Sequence, residues 1–161
     1  MSIKKTEFLK FDSREFLFKE CINILKKYKK KNVILSGGKT FIPFLKKLSE
    51  ERKVKKNFIL TDERLSNNKK KSNFYNLNKI INKNSNLKLN YNLDNICKND
   101  SYISNFLSTH YRLKIQNADL AFLGVGEDGH IASFFKYNDL ISNKKDFIIT
   151  QKHRENFKRV S

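Results

Sequence analysis

The feature that most constrains this chain is Leu123 to Phe135, L-G-V-G-E-D-G-H-I-A-S-F-F, directly after the apolar run Asp119-Leu120-Ala121-Phe122. That run reads as a buried parallel strand. Gly124, Gly126 and Gly129 crowd its C-terminal end, where glycine permits positive φ and close approach of backbone to a ligand. Asp128 and His130 sit inside the turn, and Ala132 to Phe135 can continue as a helix. In open α/β sheets the ligand crevice lies outside the carboxyl ends of strands. Read from its residues alone, the stretch is either such a ligand turn or a tight strand-to-helix loop bearing a solvated histidine.

Two earlier segments repeat the strand-then-loop pattern. Val33-Ile34-Leu35 is a short apolar strand that ends in Ser36-Gly37-Gly38-Lys39-Thr40, and Phe41, Phe44, Leu45 and Leu48 then mark a helix with Pro43 in its first turn. Two glycines let backbone N–H groups converge, and a helix N-terminus adds partial positive charge, so this turn suits a phosphate. Many turns between strand and helix look the same, and the residues leave both readings open. Asn57-Phe58-Ile59-Leu60 is a second strand, running into Thr61-Asp62-Glu63-Arg64. Charges there are costly unless paired or used, so the segment is either a surface ion pair or part of a site.

The remaining elements follow from periodicity. Asp12 and Glu15 have capping-box spacing, and Leu17, Cys21, Ile24, Leu25 and Tyr28 form an amphipathic stripe best explained as core packing. Leu87, Leu89, Tyr91 and Leu93 alternate like a half-buried strand. Ser101 caps a helix whose Ile103, Phe106, Leu107, His110 and Tyr111 share a face, with His110 a residue of the core edge rather than a ligand. Asp146 to Thr150 reads as a further strand. The expected fold is α/β: a three-layer αβα arrangement with a mainly parallel, Rossmann-like sheet, its strands near residues 33–36, 57–61 and 118–124, in a single domain over residues 1–161.

Composition excludes several classes. With 39% hydrophobic residues and 14 Phe the chain can build a core, and it has no apolar run long enough for a membrane span. The N-terminus lacks the apolar core of a signal peptide, and Cys21 and Cys97 stand alone, as suits a reducing cytoplasm. No cysteine or histidine spacing suggests a metal, and no cofactor is implied. The net charge of +18 invites a nucleic-acid partner. However, only 6 of the 34 basic residues are Arg, and the Lys are scattered among inflated Asn, Ile and Phe, a pattern of compositional drift. No nucleic-acid or membrane partner is expected, although the charge would steer an anionic substrate.

The stretch L-G-x-G-x-D-G-H-x-A-S-x-F resembles the signature loop of the 6-phosphogluconolactonases, sugar-phosphate lactonases of the oxidative pentose phosphate pathway. Related glucosamine-6-phosphate deaminases share G-x-G-x-D-G-H-I-A but continue with F-N-E-P, whereas Ser133-Phe134-Phe135 follows Ala132 here. Lys136 stands where the family usually has Pro. The resemblance extends to S-G-G at Ser36-Gly37-Gly38, with Lys39 in place of a hydroxyl residue and Phe41 in place of Pro. It extends also to D-E-R at Asp62-Glu63-Arg64, to S-N at Ser72-Asn73, and to an Arg at Arg159 that in the family lies near the substrate phosphate. It covers almost all of this sequence but only about the first two-thirds of a family member, which would leave a sheet edge or core face uncovered.

The resemblance implies a 6-phosphorylated δ-lactone as substrate. Its phosphate would rest on Ser36, Gly37, Gly38, Lys39 and Thr40, with Arg64 and Arg159 supplying charge-assisted bonds and Asp62 beside them. Hydrolysis needs a base for water and donors for the oxyanion. His130 is the histidine of the Gly-rich crevice and becomes the base, Asp128 orients it, and backbone around Gly126 and Gly129 faces the oxyanion. Two rivals remain. An amino-sugar-phosphate deaminase or isomerase needs a further carboxylate to move a proton between C1 and C2, for which Asp62 is the candidate. A non-catalytic sugar-phosphate-binding module needs none of this chemistry.

Overall fold

The computed structural model describes residues 8–90, 99–135, 149–150 and 157–161. Helix α1, Arg14–Lys27, leads into strand β1, Asn32–Leu35. A 3-10 turn at Lys39–Phe41 runs on into α2, Ile42–Ser49, and is followed by β2, Lys56–Leu60, and β3, Glu63–Leu65. Next come α3, Asn73–Ile81, β4, Leu87–Asn90, α4, Asp100–Gln116, and β5, Ala121–Phe122. Strands β6, Ile149–Thr150, and β7, Lys158–Val160, complete the described elements.

Strands β4, β2, β1 and β5 lie side by side in that order, all parallel, with Leu35 opposite both Leu60 and Phe122. Helices separate successive strands, as parallel pairing requires, and the expected α/β architecture is the observed one. The core is continuous from sheet to helices: Val33, Leu35, Phe58, Ile59 and Leu60 pack with Phe44, Leu45 and Leu48 of α2, Leu77 and Ile81 of α3, and Ile103 and Leu107 of α4. Each of these side chains is worth roughly 1.5–3 kcal/mol when removed from water.

Several local expectations need correction. Ser13, not Asp12, caps α1 by accepting from the Phe16 amide. The apolar stripe of α1 is rotated: Ile22 and Leu25 are buried, while Leu17 and Ile24 are each 37% exposed. Asn99, not Ser101, caps α4. His110 is exposed and stacks on Phe106 one turn back. Strand β5 is parallel, as expected, but among the described residues it lies at the edge of the sheet and Ala121 is exposed, so it is not a buried central strand there. Tyr91, Leu93, Cys97, Lys136 and Asp146 to Ile148 lie outside the described residues.

Sequence periodicity gave no sign of a second, antiparallel sheet of β3, β7 and β6. It pairs Glu63 with Val160, Arg64 with Arg159 and Leu65 with Lys158. Its strands are two or three residues long, too short for an alternating pattern to stand out. No helix of the described residues is long and apolar enough to cross a membrane.

Candidate active site

The C-terminal ends of β1, β2 and β5 meet in three turns. At the end of β1, the Ser36 amide donates to the Phe122 carbonyl at 2.9 Å and its Oγ accepts from the Gly124 amide at 3.2 Å. Ser36 is therefore the stitch between the Gly-Gly turn and the signature loop. The Gly37 amide is already used: it donates to Asp62 Oδ1 at 3.1 Å. Gly37 is required for a different reason. A Cβ there would stand 2.2 Å from Asn73 Nδ2. Gly38 has φ +104° with open space around it, so its constraint is backbone conformation rather than packing. No side chain caps the 3-10 turn that follows, and Lys39 and Thr40 are exposed at its start. Of the amides Gly37 to Thr40 expected to face a phosphate, the first is thus spent inside the protein. Phe41 lies against the signature loop, its Cε2 3.3 Å from where a Gly124 Cβ would fall, and edge-on to Phe44.

Asp62, Glu63 and Arg64 do not form the ion pair that charge spacing allowed; each has a separate task. Glu63 is 3% exposed and caps α3. Its Oε1 accepts from the Arg64 and Asn73 amides at 2.6 and 2.7 Å, and its Oε2 from the Phe74 amide at 2.6 Å and Ser72 Oγ at 3.1 Å. Burial pushes its carboxyl up from the ordinary value, against the pull of these donors. Asp62 is 4% exposed and accepts from Gly37 and, at 3.0 Å, from Asn73 Nδ2. Arg64 donates from one guanidinium nitrogen to the Lys71 carbonyl at 3.2 Å, while its Nε is buried and bonds to nothing among the described residues. Directly across the antiparallel ladder stands Arg159, 8% exposed. Like charges opposite each other on neighbouring strands repel, and Arg159 lies against the rings of Phe135 and Phe157.

The signature loop is a tight antiparallel turn, not a strand-to-helix connection. Val125 bridges Ile131, the Gly126 amide donates to the His130 carbonyl at 2.9 Å, and the Gly129 amide donates to the Gly126 carbonyl at 2.9 Å. These two amides are consumed within the turn and are not free oxyanion donors. Gly129 sits at φ +81°, and Ala132 at φ +55° stops the chain from continuing as a helix. A Cβ on Gly126 would lie 2.3 Å from His130 Nδ1, so this glycine makes room for the imidazole. His130 Nδ1 faces and hydrogen-bonds Asp128 Oδ1. A proton on Nδ1 leaves the Nε2 lone pair as the basic site.

Sequence reasoning quoted two residues of this loop without giving them a role. The ring of Phe135 lies 5.1 Å from the His130 ring and 5.3 Å from the Arg159 guanidinium, so one aromatic ring lies against both the imidazole and the guanidinium. Ser133 is fully buried: its amide donates to Ser161 Oγ at 3.0 Å and its carbonyl accepts from Thr150 Oγ1 at 3.1 Å. The small antiparallel sheet thereby pins the loop that carries His130. Ser72-Asn73 carried the detectable signal for the Asp62 and Glu63 partners. Thr150 and Ser161 carried none, because only tertiary folding brings them near. Among the described residues, no three His, Cys, Asp or Glu gather as a metal site.

A parallel α/β sheet with a carboxylate-paired histidine in the loop after β5, and paired arginines on a second, antiparallel sheet, defines an open-sheet α/β protein. The family described as glucosamine-6-phosphate isomerases/6-phosphogluconolactonase matches residues 7–161, and the chain belongs to it. A 6-phosphogluconolactonase of Thermotoga maritima is 32% identical over 130 residues, covering 73% of this chain and 54% of that protein. The chain thus spans about half the length of that relative. The crystal structure of a Thermotoga maritima 6-phosphogluconolactonase superposes with a TM-score of 0.66 at 25% identity, over 91% of this chain and 71% of that one. A Shewanella baltica 6-phosphogluconolactonase gives a TM-score of 0.72 at 23% identity over 99% and 75%, and a structure called devB protein gives 0.76 at 20% over 94% and 71%. The last two show likeness of fold.

Proposed function

We propose that this chain carries the substrate site of a 6-phosphogluconolactonase, hydrolysing 6-phospho-D-glucono-1,5-lactone to 6-phosphogluconate. The observation that carries the reading is that His130, oriented by Asp128, shares one aromatic ring with Arg159 of the opposed arginine pair. The name of the Thermotoga maritima relative supports it. His130 Nε2 removes a proton from water, and the resulting hydroxide bonds to the lactone carbonyl carbon. The tetrahedral oxyanion collapses, the bond to the ring oxygen breaks, and the imidazolium returns its proton to that oxygen. Asp128 holds the imidazole and stabilises its cation during this cycle. Arg64, Arg159 and the turn from Gly38 to Thr40 bind the phosphate, so remote binding energy fixes the carbonyl near Nε2. The net charge of +18 draws the anion in.

The test is lactone hydrolysis measured above its spontaneous rate. His130→Ala should lower the rate about 10²–10⁴-fold with phosphate affinity nearly intact. Asp128→Asn should cost less, since an imidazole remains. Protonation of the imidazole removes the base, so the rate should fall on the acid side. A His130→Ala variant as fast as an active parent would refute the assignment.

A further inference from the structure

We infer that Asp62 is a positioning residue that ties three loops together and is not available as a proton-transfer base. A carboxylate offers about four acceptor positions. Here Oδ1 takes the Gly37 amide at 3.1 Å and faces Thr61 Oγ1 at 3.4 Å. Oδ2 takes Asn73 Nδ2 at 3.0 Å and faces Ser133 Oγ at 3.5 Å. The first and third are full hydrogen bonds, and the two hydroxyls stand at the outer limit of bonding distance. Asn73 Nδ2 also donates to the Asp62 carbonyl at 3.2 Å, which clamps the residue from both ends.

The partners come from separate places. Gly37 belongs to the turn after β1, Asn73 begins α3, and Ser133 lies in the signature loop three residues after His130. Asp62 therefore sets the spacing between the anion-binding turn and the base. With 4% exposure and internal donors facing both carboxylate oxygens, it is poorly placed to take a proton from C1 or C2 of a sugar. This rests in its second half on the proposed lactone chemistry: water activation needs one base, whereas isomerisation or deamination needs a further carboxylate. The site lacks that second base at the one position the sequence offered.

Asp62→Ala and Asp62→Asn, each in the full 161-residue chain, test the tie. Without ligand, Asp62→Ala should speed Gly37 amide exchange about tenfold or more, as expected for one lost hydrogen bond, and shift the Asn73 side-chain NH₂ resonances. Asp62→Asn retains one acceptor oxygen and should lose part of this protection. In lactone hydrolysis, Asp62→Asn should lower kcat about tenfold, change KM less and leave the acid limb of the pH profile in place. The unmodified chain should release no ammonia from glucosamine 6-phosphate. Unchanged ligand-free exchange in Asp62→Ala, disappearance of the acid limb in Asp62→Asn, or ammonia release would each overturn the inference. A chain that hydrolyses no lactone would refute the proposed function instead, and the exchange measurement then decides the tie by itself.

Discussion

Gly37→Ala isolates the packing at the centre of the site. The added methyl would stand 2.2 Å from Asn73 Nδ2, 2.6 Å from its Cγ and 3.0 Å from its Cβ. Asn73 has little freedom to yield. It is 3% exposed, its amide is held by Glu63, and its side chain donates twice to Asp62. Forcing an extra methyl into a packed site costs about 1–3 kcal/mol. Displacing Asn73 breaks at least one bond to a carboxylate, a further ~1.5 kcal/mol or more. The expected loss is roughly 2.5–4.5 kcal/mol, a large share of the typical stability of a domain. Urea unfolding followed by circular dichroism reads it directly. Because the cost is a clash with one side chain, it should shrink in an Asn73→Ala background, a non-additivity that a double-mutant cycle detects. Gly38→Ala is the control: nothing lies within 4 Å of its Cβ and its penalty is backbone conformation, so it should add independently to Asn73→Ala. A Gly37→Ala loss below about 0.5 kcal/mol, the range of ordinary surface changes, or strict additivity with Asn73→Ala, would refute the steric argument.

Gly126→Ala would set a methyl 2.3 Å from the His130 ring and 2.8 Å from Asp128 Oδ1. It should separate the imidazole from Asp128 and lower lactone hydrolysis about 10²-fold while the far-ultraviolet spectrum is retained. Arg64→Ala should weaken sugar-phosphate binding by roughly 1.5–3 kcal/mol, read by calorimetric titration. Phosphate should also raise the melting temperature of the unmodified chain, by relieving repulsion between Arg64 and Arg159, and raise that of Arg64→Ala much less. Burial holds the Glu63 carboxyl above its ordinary value of 4.5, so the folded state keeps this proton more tightly than the unfolded chain. The linked stabilisation is present below pH 4.5 and is lost as pH rises through the folded titration. Unfolding free energy measured upward from about pH 4 should show this decline in the unmodified chain and lack it in Glu63→Gln.

The parallel sheet was legible because its strands are short apolar runs ending in glycine or charge, a local pattern that needs no tertiary information. The order of chemistry along the chain was equally legible: S-G-G, D-E-R and G-x-G-x-D-G-H follow strands, and S-N opens α3. Which partner each polar group takes was not. Charge spacing left an ion pair or a site open at Asp62 to Arg64, and folding gives Glu63 to the amides of α3 and Asp62 to Gly37 and Asn73, and sets Arg64 against Arg159, 95 positions along. The glycine-rich turn suggested free amides, yet the Gly37, Gly126 and Gly129 amides are spent on closing the turns themselves. Sequence specifies where donors, acceptors and charges occur. Their pairing depends on which loops the sheet brings within 3 Å of each other, because a hydrogen bond is decided by distance and direction in space.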